Sequence, residues 1–305
     1  MKSKARSWLR FLLVVLLGGA LYALLLIYEQ ESVYAPSPFM KKTPHESGLA
    51  FDSVALTSDD GVNIQGWFIP AQPSEGPAAT NSTVMTPLFF HGRSGNMSDS
   101  LEKLRLFHDM GLDVFTIDYH GYGASGGRPS ETALTGDAMT AYFYLVDKRH
   151  VKAERLYVCG EDLGAAVAIN LVAQVSPAGL ITEGATASIL QNVEDDWPLI
   201  PWQYLLRNQF ESIKKISEVH VPVLLFHSSD DEVVPIENSR RLLLLAHEPK
   251  ELVEIHGSHG DAFVKSFDTY YDKMDQFVHG EFGQKTAEAD HSTQTVDTAS
   301  KPSTP

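Results

Sequence analysis

The sequence predicts an α/β fold, with a mainly parallel central sheet and helices on both of its faces. After residue 86, short apolar runs typical of strands alternate with segments of helical period. Such alternation indicates strand–helix–strand units, whose strands are parallel. Around Gly160, a β-type run meets a glycine turn and is followed at once by an Ala-rich helical run. The 305 residues also suffice for one large α/β domain.

The composition excludes several classes of function. Acidic residues outnumber basic ones 39 to 24, which argues against nucleic acid as a partner, because non-specific binding needs a basic surface. Cys159 is the single cysteine, so neither an intrachain disulfide nor a cysteine-based metal site can form. His256 and His259 have no carboxylate at a recognised metal spacing. We therefore expect no metal and no other cofactor.

The N-terminus carries an apolar run with basic residues before it. Residues 11–28 contain no charge and are long enough for a bilayer, which needs roughly 17 to 25 residues. A cleaved signal peptide usually has a shorter apolar region of about 7 to 15 residues and a small-residue exit, and residues 27–31 show no clear cleavage site. Residues 1–28 are therefore predicted to be a retained signal anchor, with a cleaved signal peptide as the alternative.

The anchor also predicts the arrangement across the membrane. Lys2, Lys4, Arg6 and Arg10 precede the apolar run without an acidic residue among them. Because positive segments stay on the cytoplasmic side, the N-terminus is expected in the cytoplasm. The rest of the chain would then lie on the far side, which is periplasmic, lumenal or extracellular.

The remaining chain divides into a tether, a body and a tail. Residues 29–48 are polar with several prolines and are predicted to be a tether. The body, residues 49–283, opens with a hairpin whose strands at 53–57 and 62–70 meet at Asp59-Asp60-Gly61. Residues 71–86 are predicted to be a surface loop. Residues 284–305 have no apolar period and are expected to be disordered.

Within the body, the apolar runs and helical periods give the further elements. Strands are predicted at residues 87–90, 113–118, 155–159, 179–183, 221–227 and 251–255. Helices are predicted at residues 98–110, 130–148, 164–175, 236–246 and 263–279. An insertion at residues 192–218, rich in Trp and Pro, interrupts the alternation. It is interpreted either as a lid over the carboxyl ends of the strands, where such sheets bind ligands, or as an ordinary packed helix pair.

The glycine turn has the layout of a nucleophile elbow, G-x-S-x-G. Gly160 and Gly164 provide small residues where the backbones approach, and the turn lifts the central side chain out of the sheet. The N–H of the next residue, Leu163, would face an oxyanion formed there. The central residue is Asp162, so a carboxylate occupies the nucleophile position.

Two later strands end in residues that complete a catalytic set. Asp231 follows the strand predicted at 221–227, and His259 follows the last strand. The order nucleophile, acid, histidine is that of α/β-hydrolases. In such a set the histidine is the general base and the acid fixes its tautomer. Asp230 is the less favoured acid.

A glycine-rich turn after the strand predicted at 87–90 is the candidate oxyanion loop. It reads His91-Gly92-Arg93-Ser94-Gly95-Asn96, and its backbone N–H groups would complete the hole with Leu163. The second donor is expected from Arg93 or Ser94. The loop-ordering residues are His91, Gly92, Gly95 and Asn96.

These motifs, with Asp118-Tyr-His-Gly-Tyr-Gly123 and Asp231-Glu-Val-Val-Pro235, resemble an α/β-hydrolase. The resemblance is greatest to the membrane-anchored "bud emergence" subfamily and covers roughly residues 34–282. It implies the α/β-hydrolase fold with a short lid and an esterase- or thioesterase-like lineage. Three positions depart from the pattern: Asp162 replaces the nucleophilic Ser, Ser228 replaces a Gly, and Gly260 replaces an Asn.

The aspartate changes the chemistry that the elbow can support. Attack by Asp162 on an ester would give an anhydride, whereas displacement at a saturated carbon gives an alkyl ester that a His259-activated water can hydrolyse. Haloalkane dehalogenases and epoxide hydrolases work in this way, although they typically carry Trp where this chain has Leu163. The expected function is a membrane-anchored hydrolase using Asp162, His259 and Asp231. Its small-molecule or lipid-like substrate would be an ester, thioester, epoxide or alkyl halide.

Two other interpretations stay open at this point. The chain could be a lapsed hydrolase, a pseudoenzyme that binds a lipid or peptide ligand without turnover. Alternatively Asp162 could serve structure alone, capping the helix that follows, a position that favours Asp.

Overall fold

A computed structural model describes residues 2–71 and 84–280. Most of the predicted loop at 71–86, and the predicted disordered tail at 284–305, lie outside these residues. Within them, eight strands form one sheet: β1 Asp52–Thr57, β2 Asn63–Ile69, β3 Thr86–Phe90, β4 Val114–Asp118, β5 Leu156–Glu161, β6 Gly179–Glu183, β7 Val223–Ser228 and β8 Lys250–Ile255.

The sheet is mainly parallel, as predicted. Its strand order is β8-β7-β6-β5-β3-β4-β2-β1. Strand β2 is antiparallel to both of its neighbours, and the other neighbouring pairs are parallel. The carboxyl ends of β3, β5, β7 and β8 therefore meet at one edge, which brings the loops that follow them together.

The five helices that helical periods predicted are found with shifts at their ends, and α5 and α6 are additional helices in or beside the insertion at 192–218. The helices of the described residues are α1 Lys2–Val33, α2 Leu101–Asp109, α3 Glu131–Phe143, α4 Leu163–Val172, α5 Ile189–Asp196, α6 Ser212–Lys215, α7 Glu237–Leu245, α8 Ala262–Lys265 and α9 Phe267–Val278. The predicted helix at 130–148 widens into a π-helix at Tyr144–Lys148. The predicted helix at 263–279 is broken at Ser266 into α8 and α9.

Two apolar cores cover the two faces of the sheet. Along β2, Ile64 and Phe68 belong to one core, and Trp67 and Ile69 to the other, because successive strand side chains point to opposite faces. The first core includes residues of α3, α4 and α7, and the second includes residues of α2 and α9. The prediction of helices on both faces is therefore confirmed.

The N-terminal helix differs from its predicted boundary. Helix α1 is long and apolar enough to cross a membrane, and its apolar window is not buried within the protein. It does not end at Tyr28 but continues to Val33. This extension is stabilised because Val33 and Tyr34 are buried in the first core.

The segment predicted to be a tether is attached to the body. Ala35–Pro36 pair in parallel with Ser94–Gly95, and the carboxylate of Glu29 accepts a hydrogen bond from the backbone N–H of Asn208. The polar composition of residues 29–48 suggested a free linker. Several of the polar groups, among them those of Glu29, Gln30 and Lys41, instead make long-range hydrogen bonds with the body.

Candidate active site

The turn between β5 and α4 holds Asp162 in a strained backbone conformation. Its φ is 50° and its ψ is −117°, a region that costs a non-glycine residue about 1–3 kcal/mol. A Cβ on Gly160 would lie 2.1 Å from the carbonyl oxygen of Gly164, and a Cβ on Gly164 would lie 2.1 Å from that of Phe90. Both elbow glycines are thus required by close backbone contacts, which present Asp162 at the end of the sheet.

The three residues predicted to be catalytic lie together. His259 Nδ1 is 2.7 Å from Asp231 Oδ2, and His259 Nε2 is 3.8 Å from Asp162 Oδ1. Burial raises the pKa of Asp231, but the N–H groups of Val234 and Val233 and the His259 ring outweigh it, so the pKa lies below its usual value. An ionised Asp231 accepts a hydrogen bond from the Nδ1–H of His259, which leaves Nε2 without a proton and facing Asp162.

The Arg93 N–H reaches the elbow side chain. It donates a hydrogen bond of 3.0 Å to Asp162 Oδ2, and the guanidinium Nε of Arg93 is 3.8 Å from the same oxygen. Ser94, the other predicted donor, takes part in the short parallel pairing with Ala35. Leu163 is the first residue of α4. One oxygen of Asp162 therefore lies at a predicted oxyanion donor, and the other faces His259.

Aromatic residues hold the candidate oxyanion loop from below. The Tyr119 hydroxyl donates to the carbonyl oxygen of His91, and the Tyr122 hydroxyl donates to that of Arg93, both at 2.8 Å. The His91 ring is buried, with its centroid 4.4 Å from that of Tyr119. These contacts orient the loop toward the elbow.

Asn96 and the two glycines fix the rest of this loop. The buried Asn96 amide donates to the carbonyl oxygens of Ser37 and Phe39, each at 3.0 Å. Gly95 has a φ of 79°, in the left-handed region that favours glycine. A Cβ on Gly92 would lie 3.3 Å from Asp162 Oδ2, so Gly92 lets the loop approach the carboxylate.

An apolar cavity of about 640 Å³ opens above Asp162. Its floor includes Leu163 and Ala166 of α4, and a second wall comes from Trp197, Trp202 and other residues of the insertion. The insertion itself consists of α5, a 3₁₀ turn at Trp202–Tyr204 and α6. Residues of this insertion line the cavity, and its role as a lid stays a prediction.

The third wall of this apolar cavity comes from α1. Leu25, Tyr28, Glu29, Ser32 and Val33 all line it. The end of the N-terminal helix is therefore part of the site. The sequence did not predict this contact, because residues 29–48 have the composition of a linker.

Comparisons with known proteins identify the family to which this fold belongs. Residues 84–214 match the family described as serine aminopeptidase, S33. The α/β-hydrolase domain-containing protein WAV2 of Arabidopsis thaliana is 30% identical over 282 residues, which cover 84% of this chain and 89% of WAV2. Protein bem46 of Schizosaccharomyces pombe is 31% identical over 237 residues, 72% of this chain and 76% of bem46.

The chain belongs to the α/β-hydrolase family. The resemblance to the bud-emergence subfamily is confirmed by bem46. The esterase Pf2001 of Pyrococcus furiosus superimposes with a TM-score of 0.65 at 18% identity, over 80% of this chain and 98% of the esterase. At that identity the superposition confirms the α/β-hydrolase fold alone. The roles of Asp162, Asp231 and His259 stay predictions.

This α/β-hydrolase also has a polar cavity beside Asp162, which the sequence did not predict. The cavity measures about 290 Å³, and its lining includes His259, Lys103, Glu161 and Glu183. Lys103 is buried, and its Nζ is 2.5 Å from Glu161 Oε2 and 2.6 Å from Glu183 Oε2. We call Lys103, Glu161 and Glu183 the buried ion cluster.

The charges of the buried ion cluster stabilise one another. Burial raises the pKa of Glu161, but the Lys103 ammonium outweighs it, so the pKa lies below its usual value. Burial likewise lowers the pKa of Lys103, and the two glutamates more than restore it, so the pKa is raised. The one sequence signal for this cluster was Lys103 itself, a cation on the apolar face of α2 beside Leu104.

Proposed function

We propose that this chain is a membrane-anchored hydrolase that uses Asp162 as nucleophile, His259 as general base and Asp231 as the acid that orients it. In this proposal α1 crosses the membrane with its N-terminus in the cytoplasm. The shared cavity supports a retained anchor over a cleaved signal peptide. Glu29 and Val33, at the end of the same helix, are buried in the body, so the helix and the body form one packed unit.

The observation that carries the chemistry is the different surroundings of the two Asp162 oxygens. Oδ2 accepts the Arg93 N–H, while Oδ1 faces His259 Nε2 at 3.8 Å. In the first step Oδ1 attacks a saturated carbon of the substrate. A new carbon–oxygen bond forms as the leaving group departs with its electron pair, and Asp162 becomes an alkyl ester.

The second step returns the carboxylate. His259 Nε2 takes a proton from a water molecule, and the water oxygen attacks the carbonyl carbon of the Asp162 ester. Negative charge then develops on Oδ2, where the Arg93 N–H already donates, so this donor is preorganised for the transition state. Collapse breaks the bond between the carbonyl carbon and Oδ1, and the departing alkoxide takes the proton from His259 to leave as the alcohol. The second proton of the water is lost from the new Asp162 hydroxyl to solvent, which restores the carboxylate. The net reaction consumes one water and gives an alcohol, a halide ion and a proton from a haloalkane, or a diol from an epoxide, whose ring-opened alkoxide takes up the released proton.

This route favours alkyl halides and epoxides over esters and thioesters. A saturated electrophilic carbon gives a stable alkyl ester on Asp162, whereas acyl attack gives a mixed anhydride. The Arg93 side chain lines both cavities, so its guanidinium can receive the negative charge of a leaving halide or alkoxide. The side chain of Leu163, which stands where haloalkane dehalogenases and epoxide hydrolases typically carry Trp, cannot stabilise the leaving group because it has no hydrogen-bond donor.

A second candidate function, ligand binding without turnover, is favoured by one observation. Asp162 Oδ2 already occupies the Arg93 N–H that a serine enzyme would offer to the substrate oxyanion. In this alternative the chain is a lapsed esterase, and the apolar cavity binds a ligand that is not converted.

Trapping the alkyl ester separates the two functions. The full-length His259→Gln protein is incubated with terminal epoxides and haloalkanes, and the peptide that contains Asp162 is weighed by mass spectrometry. The expected result is a mass gain equal to the alkyl group, which is absent from the His259→Gln, Asp162→Asn double variant. Equal labelling of both proteins, or wild-type turnover that survives Asp162→Asn, would contradict the nucleophile.

The same panel of substrates tests the second candidate. Wild type and Asp162→Ser are assayed on p-nitrophenyl esters and thioesters. Ester turnover that appears only in Asp162→Ser, with no trapped adduct in His259→Gln, would support a lapsed serine esterase.

The orientation of the anchor has its own test. Protease is added to intact cells or sealed vesicles that carry the protein with a C-terminal tag. The tag is expected to be digested only from the non-cytoplasmic side. Digestion from the cytoplasmic side would overturn the proposed topology.

A further inference from the structure

We propose that the exposed apolar face of the lid lies in the surface of the membrane that α1 crosses, and that the apolar cavity takes a membrane-resident amphiphile directly from that bilayer. We call Trp197, Leu199 and Tyr204 the lid patch. The inference rests on the proposed anchoring by α1 and does not depend on the chemistry of Asp162.

The lid patch has the composition of a membrane-interface surface. Trp197 is 63% exposed, Leu199 98% and Tyr204 78%. Trp and Tyr concentrate at the boundary between hydrocarbon and water, because their rings are apolar and their N–H or O–H groups remain hydrated. An aliphatic side chain between two such rings gains from leaving water.

The apolar cavity places the lid at the depth of the membrane surface. Leu25 belongs to the uncharged run of residues 11–28, and it lines this cavity together with Trp197 and Ile200 of the lid. At 1.5 Å per residue this run is about 27 Å long, close to a hydrocarbon core of about 30 Å. Leu25 is therefore within one helical turn of the end of the hydrocarbon, and the lid beside it lies at the interface.

Buried hydrogen bonds hold the lid to α1 at that depth. Glu29 Oε1 accepts the N–H groups of Arg207 at 2.9 Å and Asn208 at 2.7 Å. The Tyr34 hydroxyl donates to Asn208 Oδ1 at 2.9 Å. Because Glu29 directly follows the apolar run, these contacts fix the distance between the lid and the bilayer.

The ligand class follows from the walls of the cavity. Apolar side chains of α1 and of the lid surround most of it. Of its charged groups, Asp162 and Arg93 lie at the elbow, and Glu29 of α1 accepts the N–H groups of Arg207 and Asn208. A ligand with a long apolar chain would leave the bilayer between α1 and the lid. Its polar end would then meet Asp162. The cavity is thus suited to amphiphiles rather than to small water-soluble molecules.

A fluorescent probe on the lid tests its position. Leu199→Cys is labelled with an environment-sensitive NBD group in the full-length protein, which is reconstituted in phosphatidylcholine vesicles with or without nitroxide-bearing lipids. Leu244→Cys on α7, 78% exposed, is the matched control. Cys159 is buried, so labelled wild type measures the background.

The expected result is at least threefold stronger quenching by nitroxide lipids at position 199 than at position 244, with a blue-shifted emission. Equal quenching at the two positions would overturn the membrane contact. A blue shift at 199 without nitroxide quenching would also overturn it, since a protein partner or a second copy would then cover the lid patch. Neither readout requires turnover, so loss of the proposed Asp162 chemistry would leave both results unchanged.

The route of the ligand has a separate probe, a long-chain fatty alcohol that carries a photoreactive diazirine and is dissolved in the vesicles. Illumination is expected to crosslink it to residues 192–206 of the lid and to residues 25–33 of α1. Val193→Asp, which places a charge in the cavity wall, should lower lid crosslinking at least fivefold. Crosslinks confined to residues 11–24 of α1, or lid crosslinks unchanged by Val193→Asp, would overturn delivery from the bilayer.

Discussion

The two cavities meet at Asp162, but one is lined mainly by apolar side chains and the other mainly by polar and charged ones. The larger, about 640 Å³, is walled by α1 and the lid and is mainly apolar. The smaller, about 290 Å³, contains the buried ion cluster and the exposed edge of His259. In the proposed mechanism, the apolar cavity would bind the hydrocarbon chain of the substrate, and the polar cavity would admit the water molecule that His259 activates.

The largest expected effect is a loss of turnover when His259, which faces the polar cavity, loses its carboxylate partner. Asp231→Asn should lower kcat by about 10⁴, because the amide no longer fixes the His259 tautomer or stabilises its charged form. Steady-state turnover of the substrate that gives the trapped ester measures this. Asp230→Asn is the matched control, since Asp230 contacts His256 and the Gly257 N–H rather than His259. Equal losses in both variants would contradict the assignment of Asp231.

The next effect concerns the charge balance of the polar cavity. Lys103→Met leaves the half-buried Glu161 and Glu183 without their cation, and removing one partner of an ion pair costs up to about 3–5 kcal/mol where the pair is fully buried. Urea unfolding at neutral pH measures the loss. The control is Lys265→Met, which breaks an exposed pair with Asp261 and should leave the midpoint unchanged. An unchanged midpoint for Lys103→Met would show that the buried ion cluster does not stabilise the fold.

A third prediction compares the same substitution in the two cavities. Val193→Asp in the apolar cavity should raise KM for long-chain substrates about tenfold, because a charge in the wall weakens burial of the chain. Val264 lines the polar cavity, so Val264→Asp should leave unaltered the dependence of KM on the length of the substrate's hydrocarbon chain. If both variants changed this dependence equally, the proposed division between the cavities would be wrong.

The smallest effect is a change in how stability depends on pH. The folded pKa of Glu161 lies below its usual value, so its contribution is present above the unfolded pKa of about 4.3 and is lost as pH falls through the folded value. Without Lys103, burial should raise this pKa, and the Lys103→Met protein should gain stability as pH falls toward 5. Urea midpoints at pH 7, 6 and 5 measure the slope. A wild-type-like slope in the variant would contradict control of Glu161 by Lys103.

The predicted elements follow local signals in the sequence, and most of them were found with small shifts. The elbow was predictable because Gly160 and Gly164 are needed for backbone contacts within a few residues of the turn. The helix at 130–148 shows the limit of such signals. Its apolar period continues to Lys148, but the hydrogen bonding changes to a π-helix after Phe143, a change that no residue in the pattern marks.

The sequence by itself determined the fold and the order of the candidate catalytic residues. Periodicity and glycine spacing are local properties, and parallel strands bring their carboxyl-end loops to one edge whatever their separation in the chain. The tertiary structure alone decided the walls of the two cavities that meet at Asp162. The Glu29–Asn208 contact joins residues 179 positions apart, and the Lys103–Glu161 pair joins residues 58 apart. Such contacts depend on how whole elements pack, and no local pattern encodes them.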